Sequence, residues 1–144
     1  MPLKLDILDQ PTPLIRANRL STLLGIDLHV KRDDLAGPSF GGNKSRQLEY
    51  YFGAAMAQQA DTILITGAVQ SNFARLAAAI AASQGMHAIV QLENRVANPS
   101  QSYLRSGNVL LSQLLGAEII SYPKGEDEEG ADNALQDKAD ELKR

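Results

Sequence analysis

The sequence predicts an α/β fold in three layers, a parallel sheet with helices on both faces. Three observations lead there. From Thr62 onward, strand-like and helix-like stretches alternate as β-α-β-α-β-α over connections of ordinary length. This is the order of parallel strands joined by right-handed crossovers. "TILITG", Thr62–Gly67, is a β-branched run with no polar face, as expected of a strand buried on both sides. Two helix-like stretches close on Gly85 and Gly116, and glycine suits the left-handed turn that ends a helix.

The elements follow in order. Residues 1–13 hold prolines at 2, 11 and 13 and read as extended and irregular. Pro13 suits the start of a helix over Leu14–Leu24, which Gly25 would end. "DLHVKRD", Asp27–Asp33, alternates and reads as a strand. A loop from Asp34 to Asn43 leads into a helix over Lys44–Gln58, with apolar residues at 48, 51, 52, 55 and 56. Beyond the strand at Thr62, an alanine-rich helix spans Ser71–Gln84, with Phe73, Leu76 and Ile80 as its larger apolar members. Small side chains nearly all round imply a helix packed closely against its neighbours. His87–Glu93 reads as a strand, Asn94–Gln101 as a loop and Tyr103–Leu115 as a helix. Ala117–Tyr122 follows as a strand and Ala131–Lys143 as the last helix. The acidic run Glu126–Glu129 is a solvated loop or the favourable start of that helix.

Composition narrows the function classes. At 144 residues the chain is sized for one domain, and its 44% hydrophobic and 22% charged residues are ordinary for a soluble protein. A net charge of −3 argues against a nucleic-acid partner. The chain has no cysteine, so disulfides and thiolate metal sites are excluded, and a reducing compartment fits. Neither a signal peptide nor an 18-residue apolar run is visible, so a cytoplasmic protein without a membrane span is expected. The two histidines, His29 and His87, read as ordinary strand residues rather than metal ligands. Asp33 and Asp34 read as turn formers, and Tyr50, Tyr51 and Tyr103 as core or interface residues.

Chemistry concentrates at "PSFGGNKSRQLEYY", Pro38–Tyr51, where two glycines and an asparagine precede Lys44 at the start of a helix. Three readings compete. Lys44 is a solvated surface lysine. Or it serves a phosphate loop, although Asn43 adds one residue to the spacing G-x-x-x-x-G-K-[ST]. Or it forms an imine with a carbonyl, which requires a neutral amine. Holding a lysine neutral near pH 7 costs about 4.6 kcal/mol against its reference pKa of about 10.4. A helix N-terminus supplies only about 0.3–1 kcal/mol, so desolvation in an enclosed pocket must supply most of it.

A second stretch supports the imine reading. "TGAVQSNFARL", Thr66–Leu76, leaves a buried strand through Gly67 and enters a helix near Ser71. Ligands of open α/β sheets bind at the carboxyl ends of strands, and helix N-termini there attract carboxylates and phosphates. Ser71 or Asn72 can equally be a plain helix cap, and the two roles are compatible.

"KRDD" (31–34), "GGNK" (41–44), "GAVQSN" (67–72), "QLEN" (91–94) and "SGN" (106–108) occur in that order. Together they resemble the D-cysteine desulfhydrase and 1-aminocyclopropane-1-carboxylate deaminase family of tryptophan-synthase-β-like pyridoxal-phosphate enzymes. The resemblance implies that Lys44 carries the internal aldimine with pyridoxal 5'-phosphate and takes the α-proton of the substrate. It implies that Asn72 bonds the 3′-oxygen of the cofactor ring. Ser71, with the amides around Asn72 and Phe73, would hold the substrate carboxylate. Ser71 thus counts with Lys44 as catalytic, and Phe73 with Ser71 and Asn72 as substrate-binding.

The resemblance places residues 1–46 in the larger cofactor domain and 47–144 in the smaller parallel α/β domain. The C-terminal half of the larger domain would lie beyond this chain, with the phosphate loop, the partner of the ring nitrogen and an active-site tyrosine. The implied activity is a lyase or deaminase reaction on a small amino acid, with D-cysteine-type β-elimination to pyruvate and ammonia. The intact protein would be a homo-oligomer, a dimer, and the fragment alone inactive. Deamination of the cyclopropane amino acid is the sibling expectation, and a non-catalytic remnant that only associates with other chains is a further one. Phe73 departs from the family pattern, which usually has a polar residue there; a phenyl ring donates no hydrogen bond.

Overall fold

The computed structural model describes residues 3–8 and 10–143. Near the N-terminus, β1 (Leu14–Arg16) pairs antiparallel with β2 (His29–Lys31), Leu14 opposite Lys31. Between them α1 (Asn18–Leu24) ends at Gly25, whose φ of 66° is the left-handed cap expected there. The helix expected from Leu14 therefore starts four residues later. Pro13 feeds a strand instead, because Pro13 O accepts from Arg32 N and Leu28 O from Ala17 N, both at 2.9 Å. The strand expected over Asp27–Asp33 shortens to β2, since Asp33–Leu35 turn into a short 3-10 helix.

Helix α2 (Ser45–Ala57) buries Leu48, Glu49, Phe52 and Gly53 on one face. A carboxylate on that face needs donors, and the N-terminal segment supplies them. Glu49 Oε1 accepts from Ile7 N at 3.1 Å and Leu8 N at 3.2 Å, and Oε2 meets Lys4 Nζ at 3.1 Å. Gly53 makes the close approach possible: a Cβ there would lie 2.4 Å from Leu3 O.

Three parallel strands follow, β3 (Thr62–Ala68), β4 (His87–Glu93) and β5 (Glu118–Tyr122), side by side in that order. Thr62 faces His87 and Ile89 faces Glu118 in the register. Burial on both sides, expected of Thr62–Gly67, belongs instead to β4, where residues 88–93 are all buried. In β3 only Ile65 is buried, because β3 lies at the margin of the sheet.

Helix α3 (Asn72–Ser83) is buried from Ala74 through Ala81. Alanine lets its axis approach the sheet and the following helices. A single helix over Tyr103–Leu115 was the expectation, but two occur, α4 (Gln101–Arg105) and α5 (Asn108–Leu114). The break falls at Gly107, whose φ is 59° and whose added Cβ would meet Gln70 Oε1 at 2.6 Å. Helix α6 (Glu128–Leu142) starts three residues before the expected Ala131. Asp127 caps it by accepting from Gly130 N at 3.2 Å, and Glu128 and Glu129 occupy the first turn, where the helix dipole favours them.

Layering follows from the alternation along β4. Ala88, Val90 and Leu92 join the core with Leu76, Ala77, Ile80 and Val109 of α3 and α5. Gln91, on the other face, donates through Nε2 to Ala131 O of α6 at 2.8 Å. The sheet thus has helices on both faces. No helix among the described residues is long and apolar enough to cross a membrane. Leu76 is fully buried whereas Leu23 is 79% exposed. Leu76→Ala should cost about 2–5 kcal/mol of unfolding free energy, and Leu23→Ala about 0.5 kcal/mol or less, read by urea denaturation.

Candidate active site

The loop before Lys44 is held by Asp33. Its carbonyl accepts from Gly42 N at 2.7 Å and Ala36 N at 3.1 Å. Its carboxylate takes Thr12 Oγ1 at 3.0 Å and the Arg46 guanidinium at 3.0 and 3.1 Å. The Arg46 bond first, then the Thr12 bond, lower the Asp33 pKa below the usual carboxylate value. Within the loop Gly37, Ser39, Phe40, Gly41 and Gly42 all have positive φ. Gly41 has φ 55° and is hemmed in, since a Cβ there would lie 2.6 Å from Ala36 N. Ser45 Oγ donates to Ala36 O and bonds Gly42 O, closing the turn. Lys44, half-buried, occupies the position just before α2.

The β3–α3 turn carries Ser71, Asn72 and Phe73. Ser71 is the N-cap, its Oγ accepting from Ala74 N at 3.2 Å. The cap leaves the amides of Asn72 and Phe73 without intrahelical acceptors. Gly67 is tight against this cap, an added Cβ falling 2.9 Å from Ser71 Oγ. The Phe73 ring stands edge-on to Tyr51 of α2, centroids 6.2 Å apart, and a phenyl ring offers no hydrogen-bond donor.

Three motif segments meet here through a residue that sequence reading passed over. Arg75 is 4% exposed. Its Nη2 donates to Gly41 O at 3.2 Å and reaches Asn72 Oδ1 at 3.5 Å, and its Nε reaches Asn108 Oδ1 at 3.3 Å. Asn108 Nδ2 donates to Asn72 Oδ1 at 2.9 Å and to Gln70 O at 2.8 Å. Gln70 closes the group: its Oε1 accepts from Asn108 N at 2.9 Å, and Nε2 donates to Tyr103 O and Ser106 O. Burial pushes the Arg75 pKa down. The available signal was one arginine inside an alanine-rich apolar run, since a guanidinium there must find partners.

A second polar group at the strand ends is satisfied internally. Buried Glu93 accepts from Thr66 Oγ1 at 3.0 Å and from Arg95 at 2.9 and 3.0 Å, and Gln91 Nε2 reaches Thr66 Oγ1 at 3.2 Å. His29 lies 3.9 Å from Asp27 and His87 3.7 Å from Glu118, each at the start of its strand. Among the described residues no group of three or more His, Cys, Asp or Glu is placed to hold a metal ion.

Residues 5–144 match the family described as pyridoxal-phosphate dependent enzyme. The chain belongs to that family. It is 42% identical over 117 residues to a D-cysteine desulfhydrase of Yersinia enterocolitica, covering 81% of this chain and 36% of that protein. A D-cysteine desulfhydrase of Serratia proteamaculans is likewise 42% identical over 116 residues, 81% of this chain and 35% of its own. A crystal structure of an ACC deaminase homologue superposes with a TM-score of 0.83 at 33% identity, over 99% of this chain and 41% of that one. Diaminopropionate ammonia lyase of Escherichia coli shares the fold, with a TM-score of 0.57 at 20% identity over 90% of this chain and 37% of its own. The chain spans about a third of the length of the curated relatives it matches.

The donors present fit the family's cofactor. Asn72 Oδ1 is occupied by Asn108 and Arg75, so the exposed Asn72 side chain has its Nδ2 donor left for an acceptor such as a ring oxygen. Lys44 is half-buried, short of the enclosure expected of an imine-forming amine, while the first amides of α3 suit an anion. The ionised Asp33 carboxylate ties Thr12 to Arg46 of α2, while the loop itself hangs on the Asp33 carbonyl. Because the folded-state pKa of Asp33 is lowered, its stabilisation is full above the unfolded value of about 3.9 and is lost as pH falls through the folded value. The gap in thermal midpoint between wild type and Asp33→Asn should therefore be full at neutral pH and begin to shrink only as pH falls below the ordinary carboxylate value of about 3.9.

Proposed function

We propose that this chain supplies the amine and the carboxylate-holding turn of a lyase acting on a small amino acid of the D-cysteine type. The activity is proposed for the polypeptide that carries this chain with the region matching the rest of its relatives. Residues 1–46 would join the larger domain, and residues 47–144 would form the smaller one. Support comes from the names of the desulfhydrase relatives at 42% identity. The observation that carries the reading is the Arg75–Asn72–Asn108 group, which gathers the Gly41, Ser71 and Asn108 segments around the start of α3.

Pyridoxal phosphate, when bound, supplies an electron sink for the charge that develops at the α-carbon. Lys44 Nζ would hold the cofactor covalently and, once released by the substrate amine, would take the α-proton. Asn72 Nδ2 would donate to the ring oxygen. Ser71 and the amides of Asn72 and Phe73 would grip the substrate carboxylate and orient the Cα–H bond towards Lys44. Loss of the thiolate from the β-carbon and addition of water would then release pyruvate and ammonia. On this reading Phe73 contributes through its backbone, its ring being engaged with Tyr51. A cytoplasmic setting and a dimeric assembly belong to the same proposal, on the family pattern. A deaminase acting on 1-aminocyclopropane-1-carboxylate is the second reading, favoured by the likeness to the ACC deaminase homologue.

The full-length product of the gene encoding this chain should, after pyridoxal phosphate and borohydride reduction, carry the pyridoxyl label on Lys44. Pyruvate release from D-cysteine should fall at least about 100-fold in Lys44→Ala. A label found only on other lysines, or a variant as active as wild type, defeats the assignment. Faster ammonia release from the cyclopropane amino acid than from D-cysteine would reverse the order of the two readings.

A further inference from the structure

We propose that Arg75 is a positioning residue, a tether that fixes the Lys44 loop relative to Asn72. The inference rests on the reading of Lys44 and Asn72 as ligand-binding groups. The loop has two anchors. Asp33 holds it from the N-terminal side through Gly42 N and Ala36 N. Arg75 holds it from α3, through the 3.2 Å bond from Nη2 to Gly41 O. Gly41 lies three residues before Lys44 and has a left-handed φ of 55°. Its carbonyl direction is therefore set by a conformation that only a few residue types adopt. The same Nη2 reaches Asn72 Oδ1, and Nε reaches Asn108 Oδ1. One rigid plane thus spans the loop, the start of α3 and the start of α5.

Packing alone does not account for an arginine here. The side chain is 4% exposed, and among the described residues Arg75 meets no carboxylate in an ion pair. Its Nη1 is buried and has no hydrogen-bond partner among the described residues. A buried cation without a counter-ion is costly, and an apolar side chain of similar volume often stabilises a protein better. What a guanidinium adds is direction: several donors in one fixed plane. Those donors go to the carbonyl of the lysine loop and to the two asparagine oxygens, not to an acid.

Replacing a purely structural arginine would change global stability alone and do nothing specific to Lys44. The full-length gene product separates the two roles through three measurements on Arg75→Met and Arg75→Lys. These are hydrogen exchange of residues 39–46 without cofactor, the rate at which Lys44 takes the borohydride-fixed pyridoxyl label, and the thermal midpoint. Arg75→Met should speed exchange in 39–46 and slow labelling of Lys44, each at least about tenfold, while exchange in β4 stays at the wild-type rate. Arg75→Lys reaches one acceptor at a time and should fall between. If Arg75→Met does not fold, Asn108→Ala keeps the buried charge while removing the Nε acceptor, and should slow labelling at least about threefold. Labelling at the wild-type rate in the folded variants overturns the proposal, as does exchange that rises equally in β4. Wild-type protein that takes no label on Lys44 overturns the cofactor reading beneath it. Unchanged exchange in 39–46 overturns the tether alone.

Discussion

The arrangement depends on how close α3 comes to its neighbours. Ala74, Ala77, Ala78, Ala79 and Ala81 are nearly inaccessible, so the helix is buried over its middle turns rather than along one stripe. An ordinary surface helix has a polar face and can slide or roll by small amounts at little cost. This one contacts β3 and β4 and lies beside α5, and any shift would open voids or create overlaps. Its N-terminus is therefore fixed in space by packing before any polar contact is considered. Ser71, Asn72 and Arg75 take their positions from that constraint.

Polar contacts then convert a fixed helix end into a fixed constellation. The glycine loop is irregular, with five consecutive or near-consecutive residues at positive φ, and such backbone holds one shape only when its surroundings determine it. The determinants are short-range, Asp33 and Ser45, and long-range, Arg75. The β3–α3 turn is determined by its cap and by Gln70, whose amide bonds three backbone groups of the α4–α5 break. The Asp33, Gly41, Gln70–Asn72 and Asn108 segments are thus one connected hydrogen-bonded body, with the Gln91–Glu93 group apart from it.

Much of the parallel sheet was legible because its signals are local. "HAIVQLE" is the β4 strand at both ends, and Thr62–Gly67 differs from β3 by one residue. The misreadings arose where a distant partner decides. Leu14–Arg16 could continue a proline-started helix, and becomes a strand because β2 offers a ladder. Tyr103–Leu115 reads as one helix ending at Gly116, and breaks at Gly107, where an added Cβ would meet the Gln70 side chain. Ser71 as a cap was legible from residue type. Arg75 was not, because its partners Gly41 and Asn108 are 34 and 33 residues away.

The amide of Asn72 has a consequence for what can be bound beside it. Its oxygen is claimed from two directions by groups belonging to the chain itself, Asn108 on α5 and Arg75 on α3. A flipped amide would set its own hydrogens against those donors, so rotation is forbidden by polarity rather than by bulk. The group left over is Nδ2, which can only donate, so a hydrogen-bonding neighbour there must bring lone pairs.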